Sequence, residues 1–166
     1  MIKVGRSVEL ECLDTPGHTM SHICVLSRGD TRALFSGDTL FNAGAGNCHN
    51  GGHPNELYNT FAGQLSKLAD STLVYPGHDY ICNNLRFTLD REPDNGRAKT
   101  LLPELERQDT NKAMITNLGL EKAINTFFRL SSPSVIRRLR EAFPDLPEHP
   151  DQKTVFLKLR ELRNKW

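Results

Sequence analysis

The sequence of 166 residues lacks a strong charge of either sign and any long apolar run. Its formal net charge is +1 at pH 7, so it has no global basic field of the kind that indicates nucleic-acid binding. The longest apolar runs, such as Leu73-Val74-Tyr75, are too short to cross a bilayer, and the first residues do not resemble a signal peptide. The sequence therefore predicts a soluble, cytoplasmic protein without a nucleic-acid or membrane partner.

Cysteine is scarce, at four residues in 166, and it is irregularly spaced. The spacing shows no CxxC pair, and the density is below that of a secreted disulfide scaffold. We therefore predict reduced thiols, and we expect three of the four to be buried or half-buried because free cysteine packs as a small apolar side chain. The four are Cys12, Cys24, Cys48 and Cys82.

Three short motifs that carry metal-competent side chains each follow a short apolar run. They are Thr15-Pro16-Gly17-His18-Thr19, Gly37-Asp38-Thr39-Leu40-Phe41 and Pro76-Gly77-His78-Asp79-Tyr80. Each places a histidine or aspartate in a loop that leaves the end of a strand-like segment, where loops present functional groups. Imidazole nitrogens and carboxylate oxygens are ligands for borderline or hard divalent metals. The pattern predicts His18, Asp38 and His78 as metal ligands.

The first part of the chain alternates strand and helix patterns. We predict strands over residues 7–13, 22–26, 32–35 and 71–75, and helices over 55–68 and about 80–91. The stretch 42–54 contains many glycines and almost no large apolar residue. Such a composition is typical of a surface loop, and loops of this length inside a compact domain tend to be functional.

From residue 96 onward the strand signals fade, so the tail is predicted to be helical. Residues 97–108 show a helical pattern interrupted by Pro103, and residues 111–130 allow no clear prediction. Ser132 is expected to cap a helix that Pro133 opens. A last helix begins after Asp151, with two faces that are predicted to differ in their surroundings. Facing inward are Val155, Phe156, Leu159, Leu162 and Trp166; facing solvent or a ligand are Lys158, Arg160, Arg163 and Lys165.

The three motifs occur in an order that resembles the metallo-β-lactamase-fold hydrolases, and most closely the glyoxalase II (hydroxyacylglutathione hydrolase) branch. The resemblance continues through Asn83-Asn84-Leu85-Arg86-Phe87 and Glu92-Pro93-Asp94-Asn95 and covers nearly the whole chain. It implies an α/β fold. Residues 1–95 are expected to form half of a metallo-β-lactamase-type αββα sandwich, and residues 96–166 a small all-α C-terminal domain that helps to bind substrate.

The resemblance also implies a metal centre and a reaction. His18 would be a ligand of a first metal, His78 a ligand of a second, and Asp38 the catalytic carboxylate that bridges both. The family uses two divalent metal ions, usually zinc, with iron or manganese also accepted. The implied reaction is metal-assisted hydrolysis of an S-(2-hydroxyacyl)glutathione such as S-D-lactoylglutathione. The products are glutathione and a 2-hydroxy acid, as in methylglyoxal detoxification.

Substrate contacts follow from the same resemblance. Arg160 and Arg163 lie three residues apart on one helical face and match a cationic pair that meets the glycine carboxylate of glutathione. Tyr80 matches a tyrosine that contacts the peptide part. Asn47 and His49 stand where the family usually carries a lysine and a tyrosine, so the thiol conjugate is expected to differ or to bind more weakly. His49 and His53 are expected to be exposed loop histidines and not additional ligands.

The His-x-His-x-Asp-His stretch that the family carries upstream is absent from these 166 residues. In the family that stretch supplies two ligands to the first metal and an aspartate and a histidine to the second. The ligand set of this chain is therefore incomplete, and a missing half-sandwich would leave an apolar sheet face exposed. Because the motifs show no sign of decay, we expect a C-terminal fragment of a longer enzyme. The alternatives are a site completed by a complementing N-terminal segment or a swapped chain, and a truncated, inactive relative.

Two other functions remain open at this point. One is a persulfide dioxygenase-like iron enzyme of the same superfamily, which also uses residues matching His18 and Asp38, although that branch typically lacks the helical tail. The other is a non-catalytic binding module derived from a truncated relative. The isolated chain, whose ligand set is incomplete, is expected to lack activity by itself.

Overall fold

The structure, a computed structural model, describes residues 1–108 and 112–166. Its strands are β1 (Ile2–Val4), β2 (Val8–Asp14), β3 (Ile23–Ser27), β4 (Ala33–Gly37), β5 (Leu40–Phe41), β6 (Gly44–Ala45), β7 (Leu73–Pro76) and β8 (Thr116–Asn117). Its helices are α1 (Pro54–Gly63), α2 (Ile81–Arg91), α3 (Gly96–Glu106), α4 (Leu118–Ile124), α5 (Pro133–Ala142) and α6 (Gln152–Arg163), with a 3₁₀ turn over Leu65–Lys67. The four strands and two helices predicted in the first part of the chain are confirmed to within a few residues, except that the helix predicted over 55–68 ends at Gly63.

A six-stranded sheet organises the molecule, with strand order β1-β2-β3-β4-β7-β8. Strands β1 to β4 form an antiparallel meander, whereas β4 and β7 run parallel. The chain connects this parallel pair through α1, which covers one face of the sheet. Because both strands end at the same edge, the residues that follow them, Asp38 and His78, must emerge side by side.

The two faces of the sheet differ in burial. On the face covered by helices, Cys24, Leu34 and Val74 are at most 1% exposed, and they pack in one core with residues of α1 and α6 such as Phe61 and Phe156. On the opposite face, several residues of β1, β2, β3 and β4 are apolar and exposed. These are Ile2, Val4, Val8, Ile23 and Phe35, each 42–52% exposed. The fold is thus one α/β half of a sandwich, as the sequence predicted, with an apolar face open to solvent.

Residues 42–46 are not the surface loop that their composition predicted. They turn through the two-stranded hairpin β5–β6 and are buried throughout, with Asn42 2% and Ala43 1% exposed. Small residues suit this position because the hairpin lies directly against α2: a Cβ atom on Gly44 would come within 2.5 Å of Asn84 Nδ2. The exposed loop is confined to residues from Asn47 onward.

The C-terminal segment is mainly helical but also contributes to the sheet. Strand β8 pairs antiparallel with β7, so a tail without any strand was a wrong expectation. Helix α3 continues through Pro103 to Glu106 and is not interrupted there. Part of the segment for which the sequence allowed no prediction is α4; residue 111 lies outside the described residues. Because α6 shares a core with α1, the two segments pack together, and a domain boundary at residues 95 and 96 stays a prediction.

The helix caps and inward faces described next agree with the predictions from the sequence, with two exceptions. Asp151 caps α6 by accepting a hydrogen bond from the Thr154 backbone N–H, as predicted. Ser132 occupies the N-cap position of α5, but its hydroxyl donates to Glu92 Oε1 at 2.6 Å and does not cap the helix. Trp166 is 51% exposed, so its predicted inward orientation was wrong, although its ring edge meets Phe87.

All four cysteines are free thiols: Cys24 is buried, Cys48 and Cys82 are half-buried, and Cys12 is exposed. The prediction of three buried or half-buried thiols is therefore confirmed. Burial raises the pKa of each of these three thiols above its ordinary value. Within residues 1–108 and 112–166, none of the helices has the length and apolar character needed to span a bilayer.

Candidate metal centre and substrate cavity

Asp38 lies between two imidazoles at the end of the parallel strand pair. His78 Nδ1 is 2.8 Å from Asp38 Oδ1, and His18 Nε2 is 3.8 Å from Asp38 Oδ2, so each carboxylate oxygen faces a different histidine. The backbone brings them there, because Gly77 N–H donates to Gly37 O at 2.9 Å directly beyond the ends of β4 and β7. The three residues predicted as metal ligands are therefore neighbours.

Glycines allow this close approach. A Cβ atom on Gly77 would come within 2.6 Å of Asp38 Oδ1. Gly17, which precedes His18, has φ of +147° and would place a Cβ atom 2.4 Å from the Leu57 Cα atom. Only glycine meets both requirements without strain. The Pro-Gly-His pattern of two of the motifs is thus explained by backbone packing as well as by turn conformation.

His18 is oriented by a backbone carbonyl. Its Nδ1 lies 2.7 Å from the Asn47 carbonyl oxygen, which can only accept a hydrogen bond. Nδ1 therefore donates to this carbonyl, and Nε2 is the ring nitrogen that faces Asp38. A histidine ligand is commonly held by such a hydrogen bond from its second nitrogen. The loop after β6 thus holds the His18 ring in a fixed orientation beside Asp38.

The donor types fit a divalent cation, but their number is too small for a complete site. Two imidazoles around one carboxylate are a suitable first set for zinc, iron or manganese. Within residues 1–108 and 112–166, however, no three His, Cys, Asp or Glu side chains are grouped closely enough to hold a metal ion by themselves. The geometry therefore agrees with a half-site that requires further ligands.

His22 is a residue near this centre that the motif reasoning missed. Its Nδ1 lies 2.9 Å from Thr39 Oγ1 and 3.2 Å from Thr15 Oγ1, and its ring centroid is 6.1 Å from that of His18. Burial, followed by the nearby His18, lowers the pKa of His22 below its ordinary value. His22 therefore links two of the motif loops through its hydrogen bonds. Its position four residues after His18 was the available signal.

A cavity of about 220 Å³ lies beside the metal-ligand cluster. It is lined by all five residues predicted to bind substrate, Tyr80, Asn47, His49, Arg160 and Arg163, together with Phe41, Ala45, Asn84 and Asn164. The Tyr80 ring stacks on the His78 ring at 5.5 Å between centroids, which places the cavity next to the candidate metal ligands. His49 and His53 are exposed, as predicted. His53 caps α1 by accepting a hydrogen bond from Asn55 N–H.

The helical pattern predicted that Arg160 faces solvent or a ligand; it does not face solvent, but it lines the cavity. It is 4% exposed, and its Nη1 donates to the carbonyls of Ala45 and Gly46 at 2.7 and 2.9 Å. Burial, with a smaller effect of Arg163, lowers the pKa of Arg160 to about 10, so the side chain stays charged at pH 7. Its main contacts hold the β5–β6 hairpin. Arg163 is half-buried and is therefore the more accessible cation of the pair.

A larger cavity lies away from this centre. A cavity of about 720 Å³ lies beside α5, lined by residues such as Pro133, Arg137 and His149. It contains none of the residues predicted for metal or substrate. Size alone therefore does not identify the site, and the convergence of the strand-end ligands on the smaller cavity is the stronger indicator.

The half-sandwich, with histidines and an aspartate at its strand ends, defines the class: a metallo-β-lactamase fold. Two solved structures resemble it over most of the chain. ETHE1 from Myxococcus xanthus has a TM-score of 0.54 at 28% identity, covering 88% of this chain and 50% of that one. A metallo-beta-lactamase from Staphylococcus aureus has a TM-score of 0.52 at 21% identity, covering 97% of this chain and 41% of that one. The second likeness shows the fold alone.

Residues 79–166 match the family model described as hydroxyacylglutathione hydrolase C-terminus. The chain belongs to the hydroxyacylglutathione hydrolase family and corresponds to its C-terminal portion. Hydroxyacylglutathione hydrolases of Polaromonas sp. and Nitrosococcus oceani are 70% and 66% identical to it over 166 and 165 residues, which are 100% and 99% of this chain. The chain spans 63% of the length of each of these two relatives.

Proposed function

We propose that the chain is part of a metal-dependent thioester hydrolase of glyoxalase II type, which cleaves an S-(2-hydroxyacyl)glutathione to glutathione and a 2-hydroxy acid. One observation carries the proposal. Asp38, placed between two imidazoles at the ends of parallel strands, adjoins a cavity that gathers Tyr80, Arg163 and the loop from Asn47 to His49. The names of the relatives support the same reaction.

His18, Asp38 and His78 would hold two divalent metal ions together with ligands from outside this chain. Zinc suits the imidazole and carboxylate donors, and iron or manganese would also be accepted. A divalent ion in such a site supplies Lewis acidity, which lowers the pKa of water and polarises a carbonyl group. Asp38 would be the bridging, catalytic carboxylate, and the Asn47 carbonyl keeps His18 in the tautomer that a metal requires.

Substrate binding is assigned to the cavity residues. Glutathione is anionic and peptide-like, so Arg163 would pair with a carboxylate, while Asn47, His49 and Tyr80 offer hydrogen-bonding groups to the peptide. Arg160 would contribute positive potential and hold the cavity wall through Ala45 and Gly46. The cavity of about 220 Å³ is below the usual range of roughly 300–1,000 Å³ for a small-molecule site. It therefore accommodates only part of the substrate.

We infer that the open apolar face of the sheet is where the remainder of the site is supplied. A complementing N-terminal segment that brings the second half of the sandwich would cover Phe35 and its neighbours and deliver the missing ligands. A swapped second chain would do the same. A cytoplasmic location and a role in methylglyoxal detoxification remain predictions.

The metal proposal is tested by complementation. We expect the purified chain to hold little metal and to show no hydrolysis of S-D-lactoylglutathione. When it is mixed or co-expressed with the N-terminal segment of the Polaromonas relative, the chain should hold about two metal ions and hydrolyse S-D-lactoylglutathione. Asp38→Ala should abolish both the bound metal, measured by elemental analysis, and the turnover, because the bridging ligand is lost.

Asp30→Ala, in the exposed turn before β4, is the matched control and should leave metal content and turnover unchanged. Full metal content in the complemented Asp38→Ala variant would overturn the assignment of Asp38 as the bridge. A complemented wild-type protein with metal but no thioesterase activity would overturn the proposed reaction.

The open sheet face gives a separate prediction. Phe35 is 48% exposed and stacks on Tyr75 at 5.4 Å between ring centroids. Phe35→Lys should therefore leave the fold of the chain intact but weaken its affinity for the complementing segment at least about tenfold, because a charge would be buried at the new interface. Titration with the labelled segment measures the affinity. Thr31→Lys, exposed in the preceding turn, should have no effect; equal affinities for all three proteins would show that the segment docks elsewhere.

No observation favours a persulfide dioxygenase-like iron enzyme over the glyoxalase II type. Residues 79–166, which include the helical tail, match the hydroxyacylglutathione hydrolase C-terminal model. Oxygen consumption with a glutathione persulfide, measured on the complemented protein, distinguishes the two activities directly.

A further inference from the structure

Asn84, on α2, forms hydrogen bonds inside the protein with both the nitrogen and the oxygen of its side-chain amide. It is 3% exposed. Its Nδ2 donates to the Asn42 carbonyl at 2.9 Å, and its Oδ1 accepts from Arg163 Nη2 at 3.1 Å. One buried side chain therefore connects the wall of the cavity to the accessible cation of the arginine pair.

The Asn42 carbonyl is a fixed anchor, because its hairpin is held from α4 and β8. Asn42 Nδ2 donates to Thr116 Oγ1 at 2.7 Å, and the Thr116 hydroxyl donates to Glu121 Oε1 at 2.8 Å. Glu121 Oε2 accepts from the Ala43 backbone N–H at 2.8 Å. These groups are buried, so the bonds do not compete with water. The hairpin cannot shift without breaking several of them.

The space around Asn84 leaves its amide little freedom. A Cβ atom on Gly44 would come within 2.5 Å of Asn84 Nδ2 and 2.9 Å of Oδ1, so the amide plane lies directly on the hairpin backbone. With Nδ2 committed to the Asn42 carbonyl, Oδ1 is directed to Arg163. The fixed Oδ1 atom of Asn84 thus restricts the Arg163 side chain, which would otherwise sample many rotamers.

Arg163 is held from a second side by an aromatic ring. Its guanidinium carbon lies 5.6 Å from the centroid of Phe87, a residue that is 2% exposed. A guanidinium has five N–H donors, and Asn84 takes one of them. Stacked on Phe87 and bonded to Asn84, Arg163 keeps further donors for a ligand in the cavity that it lines.

We propose that Asn84 is a positioning residue for substrate recognition: it directs the Arg163 guanidinium toward the glycine carboxylate of the glutathione moiety. The proposal rests on the proposed function, since it assumes a glutathione conjugate in this cavity. It adds a residue that touches neither metal nor reacting atoms and acts through Arg163. Removing it should reduce selectivity for the carboxylate more than overall binding.

The test compares two ligands on the 166-residue chain, glutathione and glutathione with its glycine carboxylate converted to an amide. Affinities are measured by NMR titration. Wild type should prefer glutathione, and Arg163→Ala should lose the preference. Asn84→Leu, similar in volume but without hydrogen-bonding groups, should reduce the preference about tenfold, the usual scale for a charge-assisted hydrogen bond that is no longer aligned.

A double variant carries the decisive measurement. If Asn84 acts through Arg163, adding Asn84→Leu to Arg163→Ala should not lower the affinity for glutathione further. Asn83→Leu, at the preceding residue of α2, which is exposed, is the matched control and should retain the wild-type preference. Should Asn84→Leu fail to fold by circular dichroism, Asn84→Ala provides the same comparison with a smaller side chain.

The outcomes separate this inference from the proposed function. A wild-type chain that binds both ligands equally, or neither, overturns the glutathione site and the inference with it. A preference that depends on Arg163 but persists in Asn84→Leu overturns the inference alone. Equal weakening of both ligands in Asn84→Leu would show that Asn84 only supports the fold, which also overturns it.

Discussion

Gly46→Ala should destabilise the chain by more than about 3 kcal/mol, beyond the usual range for one added methyl group. A Cβ atom at this position would lie 1.8 Å from the Asp38 backbone oxygen and 3.3 Å from His18 Nδ1. Backbone cannot move aside as a flexible side chain does, and the Gly46 N–H is itself bonded to the Thr39 carbonyl at 3.1 Å. Urea-induced unfolding, followed by circular dichroism, measures the loss.

Gly63→Ala is the matched control, because it makes the same chemical change at the last residue of α1, where nothing lies within 4 Å of the new Cβ atom. It should be neutral or stabilise the chain by up to about 1 kcal/mol, since alanine is the better helix former. A Gly46→Ala variant within roughly 0.5 kcal/mol of wild type would contradict the packing of the β5–β6 hairpin against Asp38. In the complemented protein the same variant should also lower metal affinity, because Asp38 and His18 would both be displaced.

Glu121→Gln should remove a pH dependence of stability between pH 4.5 and about 7. Glu121 is fully buried, and burial raises its pKa from 4.5 to about 7, although hydrogen bonds from Thr116, Asn125 and the Ala43 backbone oppose the shift. The folded protein therefore binds this proton more tightly than the unfolded chain does. Its stabilising contribution is complete below pH 4.5 and is lost as the pH rises through about 7.

The expected size of this effect is on the order of 3 kcal/mol, because each pKa unit corresponds to about 1.4 kcal/mol. The quantity to measure is the free energy of unfolding of Glu121→Gln minus that of wild type, which should increase from pH 4.5 to 7 and stay level above. Using the difference cancels carboxylates such as Glu92, whose lowered pKa gives the opposite trend in both proteins. Glu104→Gln, exposed on α3, should show a flat difference. A flat difference for Glu121→Gln as well would show that Glu121 titrates near its ordinary pKa.

The consequence of Glu121 ionisation would reach the candidate site. The three groups that donate hydrogen bonds to the Glu121 carboxylate hold the hairpin that carries the Asn42 carbonyl. This carbonyl in turn anchors Asn84. A variant that loosens the hairpin should therefore affect the cavity even though Glu121 lies on α4, outside it. Hydrogen exchange of the Ala43 amide, which donates to Glu121 Oε2, reports on this connection without any ligand.

Features that depend on local patterns were predictable. Period-two alternation located β2, and β-rich runs bounded by turn residues located β3, β4 and β7, each within a few residues of the observed strand. Apolar residues on the second face of these strands, such as Ile23 and Phe35, make the open side of the sheet apolar. The order of the three motifs identified a fold in which strand ends converge, and the structure does bring His18, Asp38 and His78 together. Their roles as metal ligands remain a proposal.

Features that depend on partners distant in the chain were not predictable. The glycine-rich stretch was expected at the surface because it has almost no large apolar residue. Its backbone groups nevertheless have hydrogen-bond partners in the interior: Glu121, 78 residues from Ala43, and Arg160, 114 residues from Gly46. The same contacts explain why Arg160 is buried. A helical pattern places it on the polar side of α6, but it does not show that buried carbonyls lie opposite that side.

The sequence by itself determined the α/β class, the positions of most strands and helices, the candidate ligands and the family resemblance, because each depends on residue types within a few positions of one another. Only the tertiary structure decided that residues 42–46 are buried, that Arg160 holds the hairpin while Arg163 stays accessible, and that Asn84 connects the two. These properties arise from hydrogen bonds between groups 42 to 115 residues apart. No local pattern encodes such bonds, because each of these groups can form its hydrogen bonds with water until the chain has folded.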